Sequence, residues 1–356
     1  MKRLFVMVLA SLFAMGISAK SPAQQLIKRL KKLQKLGVMI GHQDDPVYGT
    51  TWKWEHGRSD VKDVCGDYPA VMGFDVSGCE LDSANNIDGV PFVRMREEII
   101  AQYNRGGVIT LSWHPTNAVT GGNAWDVKDR KNVVGELLAG GSKHDVLNTW
   151  LKKISSFINS LRTSNGTQIP VIFRPWHEMQ GSWFWWGADF CTPQQYKDLY
   201  AYTHSKMNDS CKGNLVWCYS PGMIGGETAD TYLKFYPGDD CVDMLGMDAY
   251  QWGDKNDFIG QLSVEMKVMT KVGKAHKKMI ALTETGYQNT PDSIWFTTAL
   301  LRVVRPYKLS YLLLWRNAWN NPKENFGPAS EKACAKDFVN LYNDKQTLFL
   351  NDIKSK

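Results

Sequence analysis

The stretch PVIFRPWHEMQGSWFWWG, residues 170–187, begins apolar and ends in charged and aromatic side chains. Residues 170–173 are apolar, which is typical of a strand buried on both faces of a parallel sheet. Arg174, His177 and Glu178 follow, together with four tryptophans. Polar and aromatic groups therefore collect where this strand ends, and the rest of the chain shows whether other strands end in the same way.

Seven further runs have this form, with an apolar start and a polar or aromatic end. The eight runs are VMIGHQ (38–43), AVMGFDV (70–76), GVITLSWHP (107–115), PVIFRPWHE (170–178), NLVWCYSP (214–221), VDMLGMDAY (242–250), MIALTETGY (279–287) and LSYLLLWRN (309–317). Segments with helical apolar spacing lie between most of them. Buried strands alternating with helices predict a single (β/α)8 TIM barrel. An open doubly wound sheet is disfavoured because no GxGxxG fingerprint follows the first run.

Composition and the N-terminus indicate an exported globular protein. Hydrophobic residues make up 43% of the chain and charged residues 22%, and the net charge of +6 includes no long basic block, so nucleic-acid binding is not predicted. Residues 1–23 have a basic start, a short apolar segment and small residues up to Ala19 and Ala23. They predict a secretory signal peptide cut after one of these alanines, with the (β/α)8 domain over residues 24–356.

The expected location is secreted or periplasmic, because no cysteine follows the apolar segment to carry a lipid anchor and no later segment is a transmembrane candidate. The basic segment QQLIKRLKKLQKLG (24–37) has helical apolar spacing. We expect it to pack on the protein core by its leucines and isoleucine and not to bind a membrane.

The chain has seven cysteines, and this odd number leaves at least one thiol unpaired or paired with another chain. Cys211 and Cys241 directly precede the fifth and sixth runs, so we expect them on neighbouring strands at the bottom of the barrel and predict a disulfide. Cys218 lies within a strand and is predicted to be a buried free thiol. No CxxC or Cys/His spacing indicates zinc, and no metal or cofactor is predicted.

Two glutamates end runs of the predicted barrel, Glu178 the fourth and Glu284 the seventh. A lone glutamate there is usually a salt-bridge partner or a helix cap, but two of them across one barrel mouth fit that explanation less well. Paired carboxylates about 5–5.5 Å apart suffice for retaining glycoside hydrolysis, one as acid and base and the other as nucleophile. The pair His177-Glu178 also begins like a zinc-protease HExxH, but position 181 is glycine and the segment follows a strand.

Three segments carry a resemblance to a known family. RPWHEMQGSWFWWG (174–187) and LTETGY (282–287) resemble the two catalytic signatures of glycoside hydrolase family 26, whose members are mostly β-mannanases. GHQDDPVYGTTW (41–52) resembles the family's first barrel segment in Bacteroides-type enzymes. The resemblance covers essentially the whole chain after the signal segment. It implies a (β/α)8 barrel with retaining chemistry, the acid/base after strand four and the nucleophile after strand seven.

By this resemblance Glu178 is the acid/base and Glu284 the nucleophile. The other matching positions are implied to bind or orient the substrate: Arg174 towards the carboxylates, His177 on a sugar near the cleavage point, His114 at the −1 sugar, Asp248 and Tyr250 with the tyrosine orienting the nucleophile, Trp183 on the +1 side, Trp315 as the floor of −1, and Arg316 towards −2. Trp185 and Trp186 are wall or core, and core is favoured.

The implied partner is β-mannan, as polysaccharide or oligosaccharide. The family also includes β-1,3-xylanases and mixed-linkage β-glucanases, which the catalytic pair does not distinguish from mannanases. A non-catalytic carbohydrate-binding barrel is a further alternative, against which the presence of both glutamates argues. The segment 116–145 after the third run is long and rich in glycine and asparagine. We predict that it forms a barrier beyond the −2 sugar, near Arg316, and that mannobiose is the main early product.

Overall fold

The structure, a computed structural model, describes residues 20–128 and 132–356. Its strands are β1 Val38–Gln43, β2 Val71–Asp75, β3 Val108–Trp113, β4 Val171–Pro175, β5 Leu215–Tyr219, β6 Met244–Gln251, β7 Met279–Tyr287, β8 Leu309–Leu314 and β9 Thr347–Leu348. Its helices are α1 Pro22–Leu33, α2 Asp60–Cys65, α3 Phe92–Asn104, α4 Val133–Leu137, α5 His144–Asn159, α6 Pro193–Cys211, α7 Ala229–Leu233, α8 Lys255–His276, α9 Arg302–Val304, α10 Ala335–Tyr342 and α11 Leu350–Ile353. A π-helical turn, Phe296–Leu301, precedes α9.

The eight predicted runs form a closed barrel of parallel strands. From β1 to β8 each strand pairs with the next along the chain, and β8 pairs with β1 to close the ring. Helices follow most of the strands and cover the outside of the barrel, so the strands are buried along almost their whole length. The prediction of a (β/α)8 TIM barrel is therefore confirmed. Since all eight strands run the same way, their carboxyl ends meet at one face.

Helix α1 closes the opposite end of the barrel. It begins with a capping box on Ser21, followed by Pro22 at the first helical position. Its apolar face, which includes Leu26, Leu30 and Leu33, packs in one cluster with the first residues of several strands, among them Met39. The expected packing of this basic segment on the core is confirmed. The short strand β9, which the sequence did not predict, pairs with the start of β1 at the same end.

The pairing of β6 with β7 is irregular at the level of the barrel mouth. Met247 lies opposite Leu282, but Asp248 lies opposite Glu284, so β7 contributes one additional residue, Thr283, at this level. Such bulges change the direction of neighbouring side chains and are common beside functional sites. The Thr283 hydroxyl donates a hydrogen bond of 2.6 Å to Asp248. The irregularity thus places Asp248 and Glu284 side by side.

The predicted disulfide is wrong. All seven cysteines are free thiols. Cys211 ends α6, where its buried thiol contacts Ser155 on α5. It therefore points towards the helix that precedes it and not towards Cys241, which lies before β6. Cys218 is fully buried, as predicted.

The export signal expected in residues 1–23 falls largely on residues 1–19, which lie outside the described part of the chain. Within residues 20–128 and 132–356, no helix is both long enough and apolar enough to span a bilayer.

Candidate active site

Both glutamates line one cavity of about 630 Å³ at the carboxyl ends of the barrel strands. Eight of the ten positions predicted for the site border this cavity: His114, Glu178, Trp183, Asp248, Tyr250, Glu284, Trp315 and Arg316. The other two, Arg174 and His177, are each 1% exposed and lie behind it. The structure therefore brings the predicted residues together, with two of them in supporting positions.

Glu284 lies on a floor of hydrogen-bond donors. The Arg174 guanidinium donates from one nitrogen to Oε1 of Glu284 and from the other to Oδ2 of Asp248, the latter at 2.7 Å. The Tyr250 hydroxyl donates to Oε2 of Glu284 at 2.7 Å. Both carboxylate oxygens of Glu284 thus accept a hydrogen bond, and one donor carries a full positive charge.

Asp248 shares Arg174 with Glu284. Its other oxygen accepts hydrogen bonds from the hydroxyls of Ser220 at 2.8 Å and Thr283 at 2.6 Å. Burial raises the pKa of Asp248 to about 7, helped by the Glu284 charge and opposed by Arg174. One guanidinium thus faces two carboxyl groups and opposes the effect of burial on the pKa of Asp248.

Glu178 lies in a different setting, at the start of the loop after β4. Its backbone φ is 56° and that of Trp176 is 54°, a left-handed conformation that disfavours side chains other than glycine. The peptide N–H of Glu178 donates to the Ser220 carbonyl at 2.8 Å, which holds this turn against the end of β5. The chain is thereby turned so that the carboxyl group faces the cavity.

The Glu178 carboxyl group accepts a hydrogen bond from the indole N–H of Trp183 at 2.6 Å. Burial, together with the negative charges of Asp248 and Glu284, raises the pKa of Glu178 well above its usual value. The Trp183 indole rests on the backbone of Gly181, where a Cβ atom would collide with the ring. Trp183 is 38% exposed and so presents an open surface next to this acid.

Two histidines and an aspartate form a buried chain beside the glutamates. Nδ1 of His114 lies 2.6 Å from Asp75, and Nε2 lies 3.0 Å from Nε2 of His177. Burial lowers the pKa of His114, but the Asp75 carboxylate outweighs burial and raises it. Burial, Arg174 and His114 all lower the pKa of His177. The contact between the two rings joins their Nε2 atoms, and only His114 borders the cavity.

The Arg316 end of the cavity is held by acidic side chains. Its guanidinium lies 3.2 Å from Asp88 and 3.4 Å from the Tyr48 hydroxyl, and it also donates to Glu324. The Tyr48 hydroxyl donates in turn to Asp44 at 2.6 Å. Burial raises the pKa of Asp44 well above its usual value, and the charge of Asp88 adds to this. The guanidinium is thus fixed from several sides and is half-buried.

The segment 116–145 lies elsewhere than predicted. Among its described residues only Trp125 borders the cavity, and its indole stacks on the His114 ring with centroids 5.4 Å apart. The Arg316 end is bordered instead by Asp88 and Glu324. The prediction that residues 116–145 form a barrier near Arg316 is therefore wrong. A stretch rich in glycine and asparagine indicates a loop but not its direction.

The tryptophans of the 174–187 stretch divide between core and site. Trp185 and Trp186 are buried, as favoured from the sequence, and their N–H groups donate to carbonyls of Pro115 and His177. Sequence reasoning missed the roles of Asp75 and Asp88, and also the exposed indoles of Trp125 and Trp252. The position of Asp75 at the end of a run was the available signal.

A cation would find suitable ligands at His177, Asp248 and Glu284, whose donor atoms lie within 4.8 Å of one another. The Arg174 guanidinium already contacts both carboxylates of this group. A metal ion would have to replace these contacts, so the arrangement suits an internal cation better than a bound one.

Comparison with known proteins agrees with this geometry. A family model described as glycosyl hydrolase family 26 matches residues 17–344. The solved structure of a family 26 β-mannanase from Bacteroides ovatus is 44% identical, with a TM-score of 0.92 over 95% of this chain and 98% of that chain. A modular endo-β-1,4-mannanase from Cellulomonas fimi is 31% identical, with a TM-score of 0.84 over 94% of this chain and 77% of that chain.

Curated relatives include a mannan endo-1,4-β-mannosidase from Bifidobacterium adolescentis, 30% identical over 93% of this chain. This chain spans 36% of the length of that relative. A mannan endo-1,4-β-mannosidase from Bacillus subtilis is 27% identical over 82% of this chain and 75% of its own length.

Proposed function

The chain belongs to glycosyl hydrolase family 26, and we propose that it hydrolyses β-1,4-mannosidic bonds in mannan, galactomannan or manno-oligosaccharides with retention of configuration. The observation that carries the proposal is the pair of glutamates in one cavity, with the pKa of Glu178 raised and Glu284 surrounded by donors. Retaining glycosidases need one carboxyl group in each of these states.

In the first step Glu284 attacks the anomeric carbon of the sugar at −1 and forms a covalent ester. Arg174 and Tyr250 fix the orientation of the Glu284 carboxylate, and Glu284 borders the cavity. Glu178 gives its proton to the glycosidic oxygen as the bond to the leaving sugar breaks, and becomes a carboxylate. In the second step Glu178 takes a proton from water, which attacks the same carbon and releases Glu284.

The environment of Glu178 suits both halves of this cycle. Before the first step, burial and the neighbouring negative charges raise its pKa, which favours the protonated acid. When Glu284 becomes an ester it loses its charge, so one cause of the raised pKa disappears and Glu178 is more readily ionised as a base. The Trp183 N–H then stabilises the carboxylate that has formed.

We propose for the surrounding residues the subsite roles that the family resemblance implies, and their place around one cavity supports this. Trp315 and His114 border the −1 sugar, Trp183 borders the leaving side next to the acid, and Arg316 binds the sugar at −2. His177 acts through His114, because His177 is buried and its ring is hydrogen-bonded to the His114 ring.

The mannobiose prediction now depends on the Arg316 end of the cavity. Asp88 and Glu324 hold Arg316 there. We propose that these two flanks limit the cleft beyond −2 and that mannobiose is the main early product. Chromatography of early digests of linear mannan tests this, and a broad initial mixture of mannotriose and longer products contradicts it.

We also propose that residues 1–19 direct export and are removed after Ala19, which leaves a secreted or periplasmic enzyme. A cut after Ala23 would remove Ser21, whose side chain and backbone form the capping box of α1, and would also remove the buried Ala23. Loss of such a cap costs about 1 kcal/mol. N-terminal sequencing of the exported protein distinguishes the two cuts.

The proposed function is tested on mannan, galactomannan, β-1,3-xylan and mixed-linkage β-glucan under identical conditions. We expect turnover of the two mannans, with the first product released as the β-anomer in a proton NMR time course. Turnover of only xylan or glucan would assign the chain to another activity of its family. An initial α-anomer would contradict the double-displacement mechanism.

A further inference from the structure

Trp252 is the most exposed large apolar side chain of the described residues, at 70%. It directly follows β6 and borders the same cavity as the two glutamates. Burial of a large apolar side chain stabilises a fold by about 1.5–3 kcal/mol, and an exposed indole does not gain this free energy. The position of Trp252 at the cavity therefore calls for an explanation other than folding.

This indole is held in one orientation. One face stacks on the Tyr250 ring, with centroids 5.4 Å apart and planes at 29°, and an edge meets Phe326 at 6.2 Å. The preceding residue, Gln251, is anchored by a 2.7 Å hydrogen bond from the Trp295 indole and donates to the Gly253 carbonyl at 3.0 Å. With one face covered by Tyr250 and most of the side chain exposed, the other face is open to the cavity.

Free hydrogen-bonding groups lie beside Trp252 at the edge of the cavity. Gln288 borders the cavity, and its amide makes no hydrogen bond to any described residue. The Trp252 N–H is likewise unused among residues 20–128 and 132–356. A flat apolar face next to free donors and an acceptor matches a sugar ring, which has an apolar C–H face and hydroxyls at its edge.

We propose that Trp252, with Gln288 beside it, forms an additional binding position for a hexopyranosyl ring. The Tyr250 hydroxyl contacts Glu284, so Trp252 is separated from the nucleophile by one aromatic ring. The sugar on Trp252 is therefore not the one under attack. It is either a further unit of the β-1,4-linked chain or an α-linked galactosyl branch. This inference rests on the proposed function.

The test compares Trp252→Ala and Trp252→Phe with wild type on three classes of substrate. These are an aryl β-mannobioside, linear manno-oligosaccharides of increasing length, and galactosylated manno-oligosaccharides of the same backbone length. For substrates long enough or branched enough to contact the Trp252 indole, we expect Trp252→Ala to raise KM about threefold to tenfold, with kcat little changed. The phenylalanine variant should retain part of the affinity, and the aryl substrate should be unaffected.

The pattern identifies the occupant. A loss that begins above a certain chain length assigns a backbone unit, and a loss confined to galactosylated substrates assigns a branch. An equal loss on every substrate, including the aryl mannobioside, would mean that Trp252 only supports Tyr250, and no loss on any substrate also overturns the inference. Ile294→Ala is the matched control, because Ile294 is also exposed, at 52%, but does not border the cavity.

A binding measurement keeps this test independent of turnover. Calorimetric titration of Glu284→Ala with manno-oligosaccharides, with and without Trp252→Ala, measures what the Trp252 indole contributes to affinity in an inactive chain. Failure of the proposed function appears as absence of mannan turnover by wild type. Failure of this inference appears as equal affinity of the two inactive chains for every oligosaccharide.

Discussion

Glu284 lies on a floor formed by the Arg174 guanidinium and the Tyr250 hydroxyl. Glu178 lies at the rim of the cavity, where its peptide N–H bonds to the Ser220 carbonyl and its carboxyl group to the Trp183 indole. On the floor, Arg174 and Tyr250 satisfy both oxygens of Glu284. On the rim, a single indole N–H from Trp183 meets Glu178. The two side chains are chemically identical, so their surroundings set what each can do. If both carboxyl groups were fully solvated, their pKa values would be alike, and one could not serve as the acid while the other served as the nucleophile.

The difference also extends to the backbone. Glu284 is part of β7, and the additional residue in that strand sets it beside Asp248. Glu178 follows β4 in a left-handed conformation, in a turn tied to β5 by one hydrogen bond. The nucleophile position is thus built on a sheet, which favours fixed geometry, and the acid position is built on a loop.

Removal of the floor carboxylate should have the largest effect. Glu284→Ala is expected to lower kcat on linear mannan by about 10⁴-fold or more, because no covalent intermediate can form. Glu265→Gln is the matched control, since burial raises the pKa of Glu265 to about 8 and this side chain lies on α8, away from the cavity. It should retain normal activity. Substantial turnover by Glu284→Ala would remove the assignment.

Removal of the rim carboxyl group should have an effect that depends on the leaving group. Glu178→Ala is expected to lower kcat/KM on mannan by about 10²–10⁴-fold, because the departing sugar needs a proton. An aryl mannoside with an acidic phenol needs little protonation, so its first step should be nearly normal and a burst of phenol should appear. An equal loss on both substrates would contradict the acid role of Glu178.

Arg174→Met tests the charge of the floor. The variant leaves Glu284 and Asp248 without their shared cation, and we expect kcat to fall by about 10²–10³-fold. Breaking a buried ion pair also lowers the free energy of unfolding by about 3–5 kcal/mol, which denaturant titration measures. Arg174→Lys should recover part of the stability but less of the activity, because lysine does not bridge two carboxylates as a planar fork does. Unchanged activity in Arg174→Met would mean that the floor needs no charge.

The smallest expected effect is a shift of the pH profile in Trp183→Phe. Activity falls as pH rises through the pKa of Glu178, because the acid must be protonated. The Trp183 N–H favours the carboxylate and so lowers this pKa. Its removal should therefore move the alkaline limb of kcat/KM to higher pH. Trp125→Phe is the control, since Trp125 borders the cavity without a hydrogen bond to Glu178. A limb that moves to lower pH would contradict the argument.

Periodicity and the polar ends of the runs were sufficient to predict the barrel and to place Glu178 and Glu284 at its mouth. Parallel strands all end at one face, so convergence of their last residues needs no knowledge of the loops. The roles of Arg174 and Asp248 were implied by the family resemblance, and both residues lie within strands at the barrel mouth.

The features that were missed depend on how the chain travels between strands. Asp75 was visible as the end of a run, but its bond to His114 depends on how β2 and β3 are aligned. The direction of segment 116–145 and the exposed face of Trp252 follow from loop conformations that composition does not encode. The predicted disulfide failed because Cys211 was expected on a strand, whereas it ends helix α6, whose rotation the sequence does not give.

The floor beneath Glu284 would become an anion-binding site if the glutamate side chain were removed. If Glu284 is shortened to alanine, a guanidinium nitrogen of Arg174 and the Tyr250 hydroxyl remain, facing a vacancy that opens on the cavity. Azide or formate is small enough to enter and carries the missing charge. Either ion would then attack the anomeric carbon of an activated aryl β-mannoside from the position of the lost carboxylate. Azide would give a stable α-linked glycosyl azide, so the inactive chain becomes a transferase that inverts configuration.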